Sequence, residues 1–255
     1  MPDTILTCPE IFESRSLVKS YAELRGRRVS MIELLITLVL MIVISPFLQN
    51  LRIGALIEGV LLTLVLLAAV VVVGASRRMR VLAVVLAIPA VVGKWINHFR
   101  PDLMPAEFFL VAGLLFVAFV VVNLLLFTLR APRVNVEVLC GAVSNYLLIG
   151  LLWSFAYLLA ARLIPNSFTF TSGTSSSQVM DGFNALYFSF VTLSTIGYGD
   201  ITPLSGAARM LSIVEATVGM FYMTVLVARL VAMYSSEGSR PGEPDREETV
   251  KGEDI

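Results

Sequence analysis

Apolar residues come in long runs along this chain, and polar residues mark the breaks between them. Runs near 30–49, 54–75, 80–98, 106–129, 136–163 and 205–234 are each long enough to span a bilayer as a helix, which takes roughly 20 residues. Pro89 falls inside the third run and predicts a kink, and Pro105 falls where the fourth can begin. A shorter segment, Asp181 to Ser194, lies between the fifth and sixth runs. It is too short to span, so it predicts a re-entrant half-helix, with Asp181 as its N-cap or first-turn anion. The pattern predicts an all-α integral membrane protein of six transmembrane helices, without an internal repeat.

Directly after the half-helix comes a polar, glycine-rich run: Thr195, Ile196, Gly197, Tyr198, Gly199, Asp200. Irregular backbone at membrane depth is costly unless its polar groups face something that needs them. A cation that has shed its water is such a partner. Gly197 and Gly199 can take left-handed dihedrals that most residues avoid. Alternating handedness along the run turns successive carbonyls towards one axis. Four such strands around that axis would stack rings of oxygen in place of a hydration shell, and the Thr195 hydroxyl would add the innermost ring.

The stretch from Ala185 to Asp200, with the filter Thr195-Ile196-Gly197-Tyr198-Gly199 and the approach Thr192-Leu193-Ser194, resembles the pore helix and selectivity filter of the potassium-channel family. Ile201-Thr202-Pro203 fits the exit from that filter. The resemblance covers about Val134–Ser235; over the first four helices it is architectural only. It implies potassium sites at Thr195, Ile196, Gly197, Tyr198 and Gly199, with Gly199 and Asp200 shaping the outer mouth. It implies filter support from Asp200 and from Tyr187, whose hydroxyl would bond Asp200, and an aromatic cuff that includes Phe188. Some relatives carry a buried acid where this chain has Val191, so control of the filter by a carboxylate pair is not carried over. Gly219 stands where the inner helix of the family bends, and a packing glycine is the alternative there. Met220, Met223, Val227 and Val231 follow at helical spacing and would line the inner pore, or else pack on the fifth helix. One chain carries one filter, so a homotetramer is implied, with the pore between helices five and six of each copy.

Glu215 lies one turn above Gly219, well inside the sixth run, where an ionisable group is expensive and usually placed for a reason. We expect it to brace the back of the pore helix; attracting cations into the cavity is the rival role. Glu58 and Lys94 fall in the outer halves of their helices, positioned to pair or to reach the interface. Asn123 and Asn145 are expected to bond between neighbouring helices. His98 sits at an outer helix end as an interfacial residue.

Composition narrows the class. The chain is 57% hydrophobic and 15% charged, too apolar for an ordinary soluble domain. Its formal net charge is zero, which gives no electrostatic case for nucleic acid. Cys8 and Cys140 lie in different environments, so neither a disulfide nor a metal site is expected. The start of the chain lacks the features of a cleaved signal peptide. Arg15, Lys19, Arg25, Arg27 and Arg28 precede the first helix, Arg77, Arg78 and Arg80 lie between the second and third, and Arg130 and Arg133 between the fourth and fifth, all on one side. Arg52, Lys94, Arg100, Arg162 and Arg209 are the fewer basic residues of the other. The bias makes the first side cytoplasmic, with both termini inside and the filter opening outward at the plasma membrane.

The expected organisation is a cytoplasmic arm over 1–29, a four-helix peripheral domain over 30–133, a pore domain over 134–235 and a disordered acidic tail over 236–255. The fourth run, Glu107 to Thr128, contains no Lys or Arg. Voltage sensing of the kind carried by arginine-rich fourth helices is therefore expected to be weak or absent. The sequence predicts a potassium channel subunit with no catalysis, no cofactor, K+ as cargo, and the bilayer and its own copies as partners. The alternatives are a less selective cation channel on the same fold, a transporter with a re-entrant loop, and a non-conducting regulatory subunit. Paired broken helices in two repeats would mark a transporter, and this chain has one broken segment.

Overall fold

A computed structural model describes residues 30–49, 51, 53–73, 77–100, 102–131, 135–171 and 179–238. Its helices are α1 (Ser30–Leu48), α2 (Gly54–Val73), α3 (Arg77–Phe99), α4 (Ala106–Arg130), α5 (Val136–Leu163), α6 (Gly182–Leu193) and α7 (Gly206–Gly238). Two short strands, β1 (Phe168–Phe170) and β2 (Ile201–Pro203), flank α6 in sequence. Six helices are long and apolar enough to cross a membrane, all but α6. The fold is the all-α membrane class that the apolar runs predict.

Local chemistry sets the helix ends. Pro105 is the N-cap of α4 and Ala131 its extended C-cap. Asn135 caps α5, its side chain accepting from the Val138 amide at 3.0 Å. Asp181 caps α6, accepting from the Asn184 amide at 2.8 Å, as the sequence predicts. α3 runs through Pro89 as one helix. It starts at Arg77, so Arg77, Arg78 and Arg80 form its first turn rather than a connecting loop. α7 continues to Gly238, beyond the end of its apolar run. The N-terminal arm, residues 172–178 and the tail beyond 238 lie outside the described residues.

Consecutive helices pack as neighbours: α2 on α3, α3 on α4, α4 on α5, and α5 on α6. The main core joins Leu34 and Leu38 of α1, Val65 and Leu66 of α2, Phe116, Val117 and Val120 of α4, and Leu148 of α5. Small residues bring these helices close: a Cβ at Gly113 of α4 would stand 3.0 Å from the Phe155 ring of α5. A second, smaller cluster holds Tyr157, Ala185, Phe188 and Ile201, and it ties α5 to α6 and β2. α7 is the exception. Only 11% of its apolar window is buried inside the chain, against 61% for α5. The helix that closes the sequence therefore keeps most of its apolar surface for lipid or for other copies.

The polar residues expected to bridge helices behave differently. The Asn123 amide donates to the Phe119 carbonyl of its own helix at 2.7 Å, the cheapest acceptor within reach on an apolar helix. Asn145 is fully buried on α5 and interacts with the Tyr222 hydroxyl of α7, which itself donates to the Ala142 carbonyl at 2.6 Å. Lys94 stands over the Phe109 ring, 5.6 Å from its centroid, and the Glu58 carboxylate reaches the start of α6 beside Gly182.

Candidate functional site

α6 descends from its Asp181 cap and stops at Leu193, where Ser194 leaves helical geometry. The chain then folds back on the helix end. The Thr195 amide donates to the Thr192 carbonyl at 2.9 Å, and the Ile196 amide to the Val191 carbonyl at 3.0 Å. From there the backbone alternates in handedness. Thr195 has φ +58°, Gly197 +61° and Gly199 +78°, while Ile196 and Tyr198 between them are not left-handed. Such alternation turns successive peptide carbonyls to one side.

The glycines are needed for their dihedrals. A Cβ added at Gly197 or Gly199 would meet nothing within 4 Å, so space in the single chain does not exclude a side chain there; the positive φ does. Thr195 takes the same region without being glycine, a strain of order 1–3 kcal/mol that persists only where the surroundings over-determine it. The sequence placed the left-handed positions at the two glycines and missed this third one.

The exit from the run is pinned from two directions. Tyr187 of α6 donates its hydroxyl to Asp200 Oδ2 at 2.8 Å, and the Ile201 amide donates to Asp200 Oδ1 at 3.1 Å. The Asp200 carbonyl accepts from the Thr171 amide at 2.8 Å. β1 and β2 pair antiparallel just beyond, Phe168 with Pro203, Thr169 with Thr202 and Phe170 with Ile201. The segment before α6 is thereby stitched to the end of the glycine-rich run, a contact that no local pattern signals. Phe188 does not line the run. It packs behind it, 4.8 Å from the Tyr157 ring and 5.5 Å from Phe168, edge to face.

Glu215 is fully buried and lies against the back of α6. Its Oε1 is 2.5 Å from Ser189 Oγ, and its Oε2 accepts from the Tyr157 hydroxyl. Ser189 Oγ also reaches the Gly150 carbonyl of α5 at 2.7 Å. One carboxyl group therefore links α5, α6 and α7. Gly150 admits Phe190 so closely that a Cβ would stand 2.6 Å from its ring. The sequence pointed to Glu215 but not to Tyr157 or Ser189, which look like ordinary members of apolar helices.

Gly219 lies where α7 crosses the end of α6. A Cβ there would run into the Leu193 carbonyl oxygen, and α7 is one continuous helix through this point. Met220, Met223, Val227 and Val231 are all exposed in the single chain and do not pack on α5. Ile196 and Tyr198 of the glycine-rich run are 55% and 68% exposed. An uncovered Tyr198 side chain and an uncovered α7 are both surfaces that a further copy could bury. Among the described residues no cluster of His, Cys, Asp or Glu could hold a metal ion.

Residues 145–236 match a family model described as an ion channel. Over 69 residues, 27% of this chain, the sequence is 39% identical to "Two pore potassium channel c" of Oryza sativa subsp. japonica, covering 14% of that protein. It is 41% identical over 61 residues, 24% of this chain, to "Two-pore potassium channel 4" of Arabidopsis thaliana, covering 20% of it. It is 42% identical over 59 residues, 23% of this chain, to "Probable potassium channel protein 2" of Methanocaldococcus jannaschii, covering 17% of it. The matches thus span a fifth or less of these curated relatives. No solved structure matches.

Proposed function

We propose that this chain, whose residues 145–236 match an ion-channel family model, is one subunit of a homotetrameric, potassium-selective pore. The observation that carries this reading is the alternation of positive φ at Thr195, Gly197 and Gly199 directly after a short capped helix. Carbonyls from Thr195, Ile196, Gly197 and Tyr198 of four copies would replace the ion's water, with the Thr195 hydroxyl at the inner end. Gly199 and Asp200 shape the outer mouth. The C-terminal end of α6 would present partial negative charge to an ion in the central cavity.

In this reading Glu215 and Tyr187 hold the filter from behind. The inner helix bends at Gly219, and Met220, Met223, Val227 and Val231 line the cavity and an apolar constriction that closes by losing water. The protein sits in the plasma membrane with both termini cytoplasmic. Within α4 the basic residue is Arg130, at its very end, so the peripheral helices carry too little charge through the field to make opening voltage-dependent.

The test is potassium flux from liposomes holding the purified protein, with barium as blocker and Gly197→Ala as control. Barium-sensitive flux that prefers potassium over sodium, and is lost in the variant, supports the reading. Equal passage of sodium would make this a less selective cation channel. A monomer that neither binds potassium nor conducts would refute the reading altogether.

A further inference from the structure

α4 ends at Arg130, and its C-cap Ala131 is extended, with φ −62° and ψ 127°. The last carbonyls of a helix lack intrahelical donors and carry the negative end of its dipole. Here they are met from the other end of the fold. Arg229 of α7 donates from one terminal nitrogen to the Thr128 carbonyl and from the other to the Ala131 carbonyl at 2.6 Å. The described partners of this guanidinium are these two carbonyls, not a carboxylate. It is part-buried beside an apolar cleft of about 430 Å³ whose lining includes Leu125, Leu152, Trp153, Phe221 and Val225. A cation kept in such surroundings is expensive and is held there by what it binds. Its planar fork suits two acceptors at once, which an ammonium cannot match.

We infer that Arg229 is a positioning residue that clasps the inner end of α7 to the C-terminus of α4. The inference rests on the proposed pore function. In that reading α4 belongs to the peripheral helices and α7 lines the axis. α7 is sparsely covered by its own chain, and about two turns above Arg229 the Tyr222 hydroxyl ties it to α5 by donating to the Ala142 carbonyl at 2.6 Å. Closing an inner constriction draws that end towards the axis, away from α4, and breaks both hydrogen bonds. The clasp therefore favours the open arrangement. It is also a polar link by which a displacement of the peripheral helices reaches the gate.

Two measurements on the full chain test this, using Arg229→Gln and Arg229→Lys. The first is barium-sensitive potassium flux. Losing two charge-assisted hydrogen bonds predicts a fall of roughly a hundredfold or more in the glutamine variant, with a smaller fall for lysine and an unchanged preference for potassium over sodium. The second needs no conduction. Spin labels at Ala232→Cys, with Cys8 and Cys140 replaced by serine, report distances between copies, and these shorten in Arg229→Gln if the clasp holds the helix outward. Lysine in the intermediate position in both assays supports the clasp. Unchanged label distances, or unchanged flux with an intact tetramer, overturn it. A wild-type protein that carries no flux at all would instead defeat the pore reading, while the label distances still decide whether Arg229 holds α7 in place.

Discussion

Replacing Glu215 by alanine removes the acceptor for two hydroxyl groups at once. Ser189 keeps the Gly150 carbonyl at 2.7 Å, but Tyr157 is left with Ser212 Oγ at 3.5 Å, too long to replace what it lost. Each lost hydrogen bond contributes about 1 kcal/mol if the carboxyl is neutral and about 1.5–3 kcal/mol if it is ionised. Stranding the buried Tyr157 hydroxyl adds about 1–3 kcal/mol. The alanine variant should therefore lose roughly 3–5 kcal/mol per subunit with a neutral carboxyl and roughly 4–9 kcal/mol with an ionised one, before any contribution from the space left by the side chain. Glu215→Gln keeps the shape and can still accept one hydroxyl while its amide donates to the other, so it should lose only about 1 kcal/mol. Thermal unfolding of the detergent-solubilised protein separates the two. At roughly 2–4 °C per kcal/mol for a chain of this size, alanine should lower Tm by roughly 10 °C and glutamine by only a few degrees. Flux through the alanine variant should also decay faster with time, because the back of α6 is no longer held. Equal Tm for alanine and wild type would refute the brace. Reduced flux in the glutamine variant without any change in its decay would assign Glu215 to attracting cations instead.

The same geometry sets three further outcomes. Tyr187→Phe deletes the 2.8 Å bond to Asp200, at a cost of about 1.5–3 kcal/mol if the acceptor is ionised; filter inactivation should quicken, and unchanged decay and selectivity would remove Tyr187 from filter support. Gly219→Ala drives a Cβ into the Leu193 carbonyl, so Tm should fall by an amount typical of overpacking, about 1–3 kcal/mol; slower opening with unchanged Tm would mean that the glycine serves bending alone. In planar bilayers the conductance–voltage relation should be shallow, since α4 carries its one basic residue at its end; a steep curve with several gating charges per subunit would contradict the proposed indifference to voltage.

Much of the architecture was legible along the chain because its causes are local. A span is a run of apolar residues of bilayer length, and that property survives without any knowledge of neighbours. The half-helix was readable from its length and from the Asp181 cap. The left-handed positions at Gly197 and Gly199 follow from the one residue type that takes them freely. What failed was local in a different way. Asn123 looked like glue between helices, but its own Phe119 carbonyl was nearer. The basic residues 77–80 looked like a loop, yet arginine is a good helix former and they open α3.

The sequence by itself determined the number of apolar helices, the short α6 between the last two of them and the backbone freedom of the glycine-rich run, because each depends on composition over a few neighbouring residues. Only the tertiary structure decided what holds that run and the helices around it in place. Glu215 meets Tyr157 from 58 positions away and Ser189 from 26, and Arg229 meets Ala131 from 98. Thr195 adopts a strained dihedral that its residue type would refuse alone. Buried polar groups must find partners wherever packing delivers them, and no spacing along the chain records which helix ends will arrive at the same place.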